Sequence, residues 1–263
     1  MANPQKLTTH LLTLHSSTLR RATNHPFLSL AGTGKLPKPL LAQWLSQDRL
    51  YAQTYVRFIG LLLSKVQLPS TPTAEGKKGN GELSIQEKIL KVLIDALVNI
   101  QVELGFFEAT AEEYGLDLNT KTPGQEGFGP NEATQGYIDM FLSSAGEDSS
   151  LLVGLTVLWA TEECYLRAWR YAQSFQSPSS QPGSQDADGG ALREKFIPNW
   201  ASKEFEEFVV KIGDVLDEFA AVELGGDLRK SEKAGLEKCE GWWGEVVKLE
   251  VGFWPDVEGV QKN

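Results

Sequence analysis

The sequence predicts an all-α protein. Apolar residues recur at helical spacing through most of the 263 residues, no run of note alternates with period two, and breaks rich in Pro and Gly separate the periodic stretches. The length suits one domain with a sizeable core.

Residues 5–22 form the first candidate helix, with Leu7, Leu11, Leu14 and Leu19 at helical spacing. Asn24–Phe27 and the stretch from Gly32 to Pro37 break it, and Pro37 and Pro39 suit the start of a second helix. That helix runs from Leu40 to Val66 and carries Trp44, Leu45, Tyr51, Tyr55, Phe58, Leu62 and Leu63. Residues 69–83 are rich in Pro, Gly and charge and read as a surface insertion. Ser84 with Glu87 is a capping box, opening a third helix to Tyr114. A fourth starts at Asn131 or Thr134 and runs through Ser143, and Ser149–Ser150 open a fifth from Leu151 to about Phe175. Residues 176–191 are low in complexity and read as a second, mobile surface insertion. Ser202 caps a helix to about Leu224, which Gly225–Gly226 end. The last helix runs from about Leu228 towards Phe253, with a bend expected near Gly241 and Gly244. The whole reads as one domain, 1–263, of about seven or eight helices.

Composition excludes several function classes. Lys plus Arg total 25 against 35 Asp plus Glu, a formal charge of −10, so a general nucleic-acid binder with a basic face is not expected. Two cysteines without a CxxC pair, and three histidines all before residue 26, point away from disulfide, zinc or His-based metal sites. No apolar run is long enough to span a bilayer, and the N-terminal stretch lacks the apolar core of a secretory signal, so the expected compartment is the cytoplasm. Aromatic residues make up 10% of the chain, and they either fill a core or line a pocket.

Polar groups inside apolar helices mark the candidates. Asp48, Tyr51 and Tyr55 lie at i, i+3 and i+7 on one helical face, as do Glu162, Tyr165 and Trp169. Glu163 is rotated by about 100° from Glu162, so at most one of the two points squarely inward. A carboxylate is costly to bury unpaired, so Glu162 is either paired inside or borders a cavity. Tyr137 interrupts the fourth helix, and Glu245 and Glu250 interrupt an aromatic-rich last helix. As single residues, Asp48, Tyr137, Glu250 and Cys164 read as ordinary surface or core positions. There is no GxGxxG, P-loop, HExxH or GxSxG motif.

The ordered set of segments resembles the TenA/thiaminase II family. It comprises NHPFLSLAGTGKLPKPLLAQWLSQDRLYAQTYVRF (24–58), ELGFFEATAEEYGLDL (103–118), GYIDMFLSSA, WATEECYLRAWRYA, IPNWASKEFEEFV and LEVGFW. The resemblance implies a haem-oxygenase-like helical bundle with a central pocket. It also implies hydrolysis of a C–N bond beside a pyrimidine ring, releasing hydroxymethylpyrimidine from thiamin or an aminomethylpyrimidine breakdown product. The WAxExxYxxAW pattern is similar to the branch that carries a glutamate in place of a catalytic cysteine. By this resemblance Glu162 is the proton-transfer group and Glu250 its partner or the water-positioning base, with Tyr51 and Tyr165 holding them by hydrogen bonds. Asp48 would bind the aminopyrimidine edge, while Tyr137, Trp200 and Phe253 would flank the ring. No cofactor and no metal are implied. The implied partner is a small pyrimidine substrate, with a homo-oligomer, dimer or tetramer, and neither nucleic acid nor membrane. Two other readings stay open on the same fold: a non-catalytic pocket that binds a small ligand or a partner, and a cofactorless or haem-dependent oxygenase.

Overall fold

The computed structural model describes residues 5–68, 83–177, 181–225 and 233–258, and among them the chain is helical throughout, with no strand. The helices are α1 (Leu7–Thr13), α2 (Ser16–Thr23), α3 (Pro26–Gly32), α4 (Lys38–Leu63), α5 (Ile85–Tyr114), α6 (Glu132–Ser144), α7 (Leu151–Gln173), α8 (Ile197–Trp200), α9 (Lys203–Glu223) and α10 (Lys233–Phe253). A π-helical turn, Leu192–Phe196, leads directly into α8.

Every helix read in the sequence is present, with differences at the short ones. The expected helix over 5–22 is two, because His15 adopts a left-handed backbone (φ 52) and separates α1 from α2. Asn24–Phe27, expected as a break, instead opens α3: Pro26 takes the first turn and the His25 side chain accepts from the Phe27 N–H. The last helix continues through Gly241 and Gly244 to Phe253. Its expected start near Leu228, and most of the first insertion, lie outside the described residues. The predicted capping box at Ser84 and Glu87 forms, and Gly115 closes α5 in the left-handed conformation. No helix among the described residues is long and apolar enough to cross a membrane.

The centre of the bundle is α7. Its run from Leu151 to Thr161 is buried on every side, as expected of a helix that is apolar all round. It packs against α2, α3, α4, α6, α8, α9 and α10, while α4 also packs on α5 and α6, and α5 on α9. Close approach of α3 to α7 is possible because residue 32 is glycine: a Cβ there would lie 1.9 Å from the Ala172 carbonyl oxygen.

The second insertion is more ordered than a mobile surface loop over 181–191. Arg193 forms a buried two-bonded ion pair with Asp186, at 2.5 and 2.8 Å, and donates to the Gln181 carbonyl. Asp188 accepts from the Gly190 and Leu192 N–H groups and so caps the π-helical turn. The Ala187 N–H donates to the Gly34 carbonyl, where a positive φ of 69 and the adjacent Asp186 carboxylate leave no room for a side chain. This anchoring fixes the approach to α8 and hence the position of Trp200.

Candidate active site

Four helices enclose an inner chamber of about 30 Å³, lined by Asp48, Tyr51, Ala52 and Tyr55 of α4, Ile100, Glu103 and Phe107 of α5, Glu162 and Tyr165 of α7, and Phe205 of α9. An outer vestibule of about 300 Å³ shares Tyr55, Ile100, Glu103, Glu162 and Phe205 with it and opens past Phe106, Asn199, Trp200 and Phe208. The i, i+3, i+7 spacing explains the inner wall: one face of α4 delivers Asp48, Tyr51 and Tyr55 together, and one face of α7 delivers Glu162 and Tyr165. Glu163 turns away and pairs with Arg167 at 2.6 Å.

Each carboxylate is held by an aromatic donor. Tyr55 Oη donates to Glu162 Oε1 at 2.6 Å, and Tyr165 Oη donates to Asp48 Oδ2 at 2.9 Å. The Trp200 indole N–H donates to Glu103 Oε1, and Tyr137 Oη donates to Glu250 Oε2. The tyrosines that hold the glutamates are therefore Tyr55 and Tyr137, where Tyr51 and Tyr165 were expected. Tyr51 lines the chamber and packs its ring on Tyr55, Tyr137, Phe141 and Phe253.

The remaining candidates sit at different depths. Glu250 is buried and has one oxygen, Oε1, without a hydrogen-bond partner among the described residues, but it stands behind the chamber wall with Tyr137. Tyr137 and Phe253 are also buried behind Tyr51, so neither offers its face to the chamber; Tyr51, Tyr55, Phe107, Tyr165 and Phe205 supply the inner aromatic walls. Trp200 lines the vestibule and packs on Tyr165 and Trp169. Cys164 is buried outside both cavities, and burial pushes its thiol well above the ordinary value. None of the three histidines lines either cavity: His10 pairs with Glu240, His25 caps α3 and His15 packs beside Gly244.

Sequence reasoning missed Glu103. The signal was available, since Ile100, Glu103 and Phe107 repeat the i, i+3, i+7 pattern of the other two helices.

Burial dominates the electrostatics. It lifts Glu162 and Glu250 to about 7, each partly offset by its tyrosine donor. Burial and then the negative charge of Glu162 lift Glu103 to about 8, against the Trp200 donor. Asp48 is pushed well above its ordinary value by burial first and Glu103 next. Glu103 and Glu162 keep part of their surface open to the cavities while surrounding atoms strip away most of their water.

These shifts fix a stability trend. The folded chain holds the Glu103, Glu162 and Glu250 protons to higher pH than the unfolded chain does, so their stabilising effect is complete below about pH 4.5 and fades as pH rises through 7 to 8. The urea midpoint is expected to fall from about pH 5 to about pH 8, and Glu250→Gln is expected to flatten that fall. A midpoint that rises across this range would contradict the placement of these carboxyls.

The chain matches the TENA/THI-4/PQQC family over residues 15–257. It is 32% identical to a protein of Fusarium pseudograminearum named "Probable transcription factor", over 98% of this chain and 53% of that protein, so it spans about half of that relative's length. It is 26% identical to the "Aminopyrimidine aminohydrolase" of Halalkalibacterium halodurans, over 88% of this chain and 86% of the other. Its fold is that of a TenA homologue from Pyrococcus furiosus, with a TM-score of 0.71 at 24% identity, over 94% of this chain and 98% of that one. That fold is the haem-oxygenase-like bundle which the sequence resemblance implied. By the extent of the family match, the chain belongs to the TENA/THI-4/PQQC family.

Proposed function

We propose that this protein is an aminopyrimidine aminohydrolase, replacing the amine on the pyrimidine methylene by hydroxyl. Water supplies the oxygen, the C–N bond breaks, and the amine leaves with a proton. The observation that carries the reading is Glu162, a carboxyl poised at about 7 on the wall shared by an aromatic chamber and its vestibule. A group with that pKa exists in both protonation states near neutral pH, which is what a residue that takes a proton from the attacking water and passes it to the departing ammonia requires.

Asp48 suits the other end of the substrate. Tyr165 occupies one of its oxygens and fixes the carboxylate, so the second oxygen can accept from the exocyclic amino group of the ring. The chamber, at about 30 Å³, has room for only about one or two waters, so the flat ring takes the 300 Å³ vestibule between Phe106, Trp200, Phe205 and Phe208 and turns its amino edge into the chamber. Glu250, bonded to Tyr137 behind the Tyr51 ring, takes no part in the proton transfer of this reading.

The test is to incubate the purified protein with thiamin, an aminomethylpyrimidine and its formylated form, and to follow pyrimidine alcohol by chromatography. Release from the aminomethyl compound is expected, and no release from any of the three overturns the reading. A second reading, a ligand-sensing domain, draws on the fact that the chain spans half of a relative named as a transcription factor. In that case the same compounds raise the melting temperature without turnover.

A further inference from the structure

We infer that Glu103 is the specificity residue of the chamber, binding the positively charged amino group of the substrate and so selecting cationic over neutral pyrimidines. The inference rests on the hydrolase reading for the identity of the ring and goes beyond it in naming the charge of the group the site takes.

Three observations carry it. First, Glu103 is at the junction: it lines both the inner chamber and the vestibule, so a molecule that reaches Asp48 through the vestibule passes it. Second, it is aimed and held. The Trp200 N–H takes Oε1, and Trp200 is itself fixed by stacking on Trp169 and Phe196, with ring centroids 4.8 and 5.3 Å away. That leaves Oε2 for a ligand, on a carboxylate that cannot swing away without stranding a buried indole donor. Third, the cavity has acids and no base. Asp48, Glu103 and Glu162 share the chamber, Glu204 joins them in the vestibule, and no Lys, Arg or His among the described residues lines either cavity.

Burial and the proximity of one another's negative charge hold Glu103 and Asp48 protonated to a higher pH than usual. A cation seated among them favours the ionised form, so Glu103 releases its proton to solvent and pairs with it as a carboxylate. A neutral arm, such as an alcohol or an N-acyl group, does not. A primary ammonium on the methylene also has several N–H donors, one for Glu103 and one for Glu162, so the group that must leave is held beside the group that handles its proton.

The variants are Glu103→Gln, which keeps the shape and an acceptor for Trp200, and Glu103→Asp, which keeps the charge. Two readouts are used: calorimetric affinity for the aminomethylpyrimidine and for the corresponding alcohol, and KM and kcat for the amine. Affinity for the amine is measured in the Glu162→Gln background, where turnover does not consume it. Glu103→Gln is expected to weaken amine binding by about 10- to 100-fold, the loss of a charge-assisted bond, and to leave alcohol affinity nearly unchanged. Glu103→Asp is expected to recover much of the preference for the amine. Equal loss for amine and alcohol, or no loss for either, overturns the inference, because a purely structural role does not distinguish the two ligands. If the wild type binds the amine in a Glu103-dependent way but releases no alcohol, the hydrolase reading fails and the cation site stands. Turnover without Glu103-dependent preference is the opposite case. If neither compound binds, both fall.

Discussion

Glu162→Gln is expected to lower amine release from an aminomethylpyrimidine by about 10²- to 10⁴-fold, the usual contribution of a positioned acid–base group. Gln has the same shape and can still accept from Tyr55, so the chamber should keep its form and KM should change far less than kcat. The wild-type rate is expected to show an ionisation near pH 7 that is absent in the variant, since Glu162 is the chamber group placed at about that value. Cys164→Ala is the companion measurement. Cys164 follows Glu162 by two residues, about 200° around the helix, and is buried outside both cavities. Its thiol is held in the protonated, unreactive form by burial and by the charge of Glu250. Activity near wild type is expected; the reverse pair of results would assign the chemistry to the thiol and sink the role of Glu162.

What could be read from the sequence follows from helical periodicity. A face at i, i+3, i+7 is local geometry, so the joint arrival of Asp48, Tyr51 and Tyr55 at one wall was legible, as was the rule that at most one of Glu162 and Glu163 turns inward. Partner choice between helices was not. Tyr55 reaches Glu162 and Tyr137 reaches Glu250, in place of the expected Tyr51 and Tyr165, because those pairings depend on how α4, α6, α7 and α10 are set against one another. Glu103 escaped because α5 is not apolar all round. Exposed Val102 sits beside it and exposed Glu108 and Glu112 follow, so one more glutamate on such a helix reads as surface. The break at His15 had no Gly or Pro to announce it. The ordering of 181–191 depends on a buried ion pair between Asp186 and Arg193, seven residues apart in a low-complexity context that gave no sign of burial.

The aromatic excess has an architectural role that makes the second large prediction. Trp44 is fully buried and packs on Phe27, Trp169, Phe196, Trp200, Phe253 and Trp254, from 5.3 Å at Trp169 to 6.5 Å at Phe253. Trp44→Ala empties the middle of that cluster and is expected to cost about 3–5 kcal/mol, a large part of a typical domain stability of about 5–15 kcal/mol. Trp44→Phe is expected to cost much less, because most of the ring is kept and the Trp44 indole N–H, which has no acceptor among the described residues, is removed. The loss should also reach the chemistry. Trp169 and Trp200 both rest on Trp44 and both back Tyr165, at 6.0 and 5.2 Å, and Tyr165 is the group that fixes Asp48. KM is therefore expected to rise in Trp44→Ala along with the fall in the urea midpoint. Trp243→Ala separates the two effects. Trp243 is equally buried and stacked on Trp159 at 5.6 Å, but it lines neither cavity and touches none of their aromatic backing rings. It should lower the midpoint comparably and leave KM near wild type. If Trp44→Ala raises KM no more than Trp243→Ala does, the cluster is core alone, and Asp48 is held in place by something other than the rings behind Tyr165.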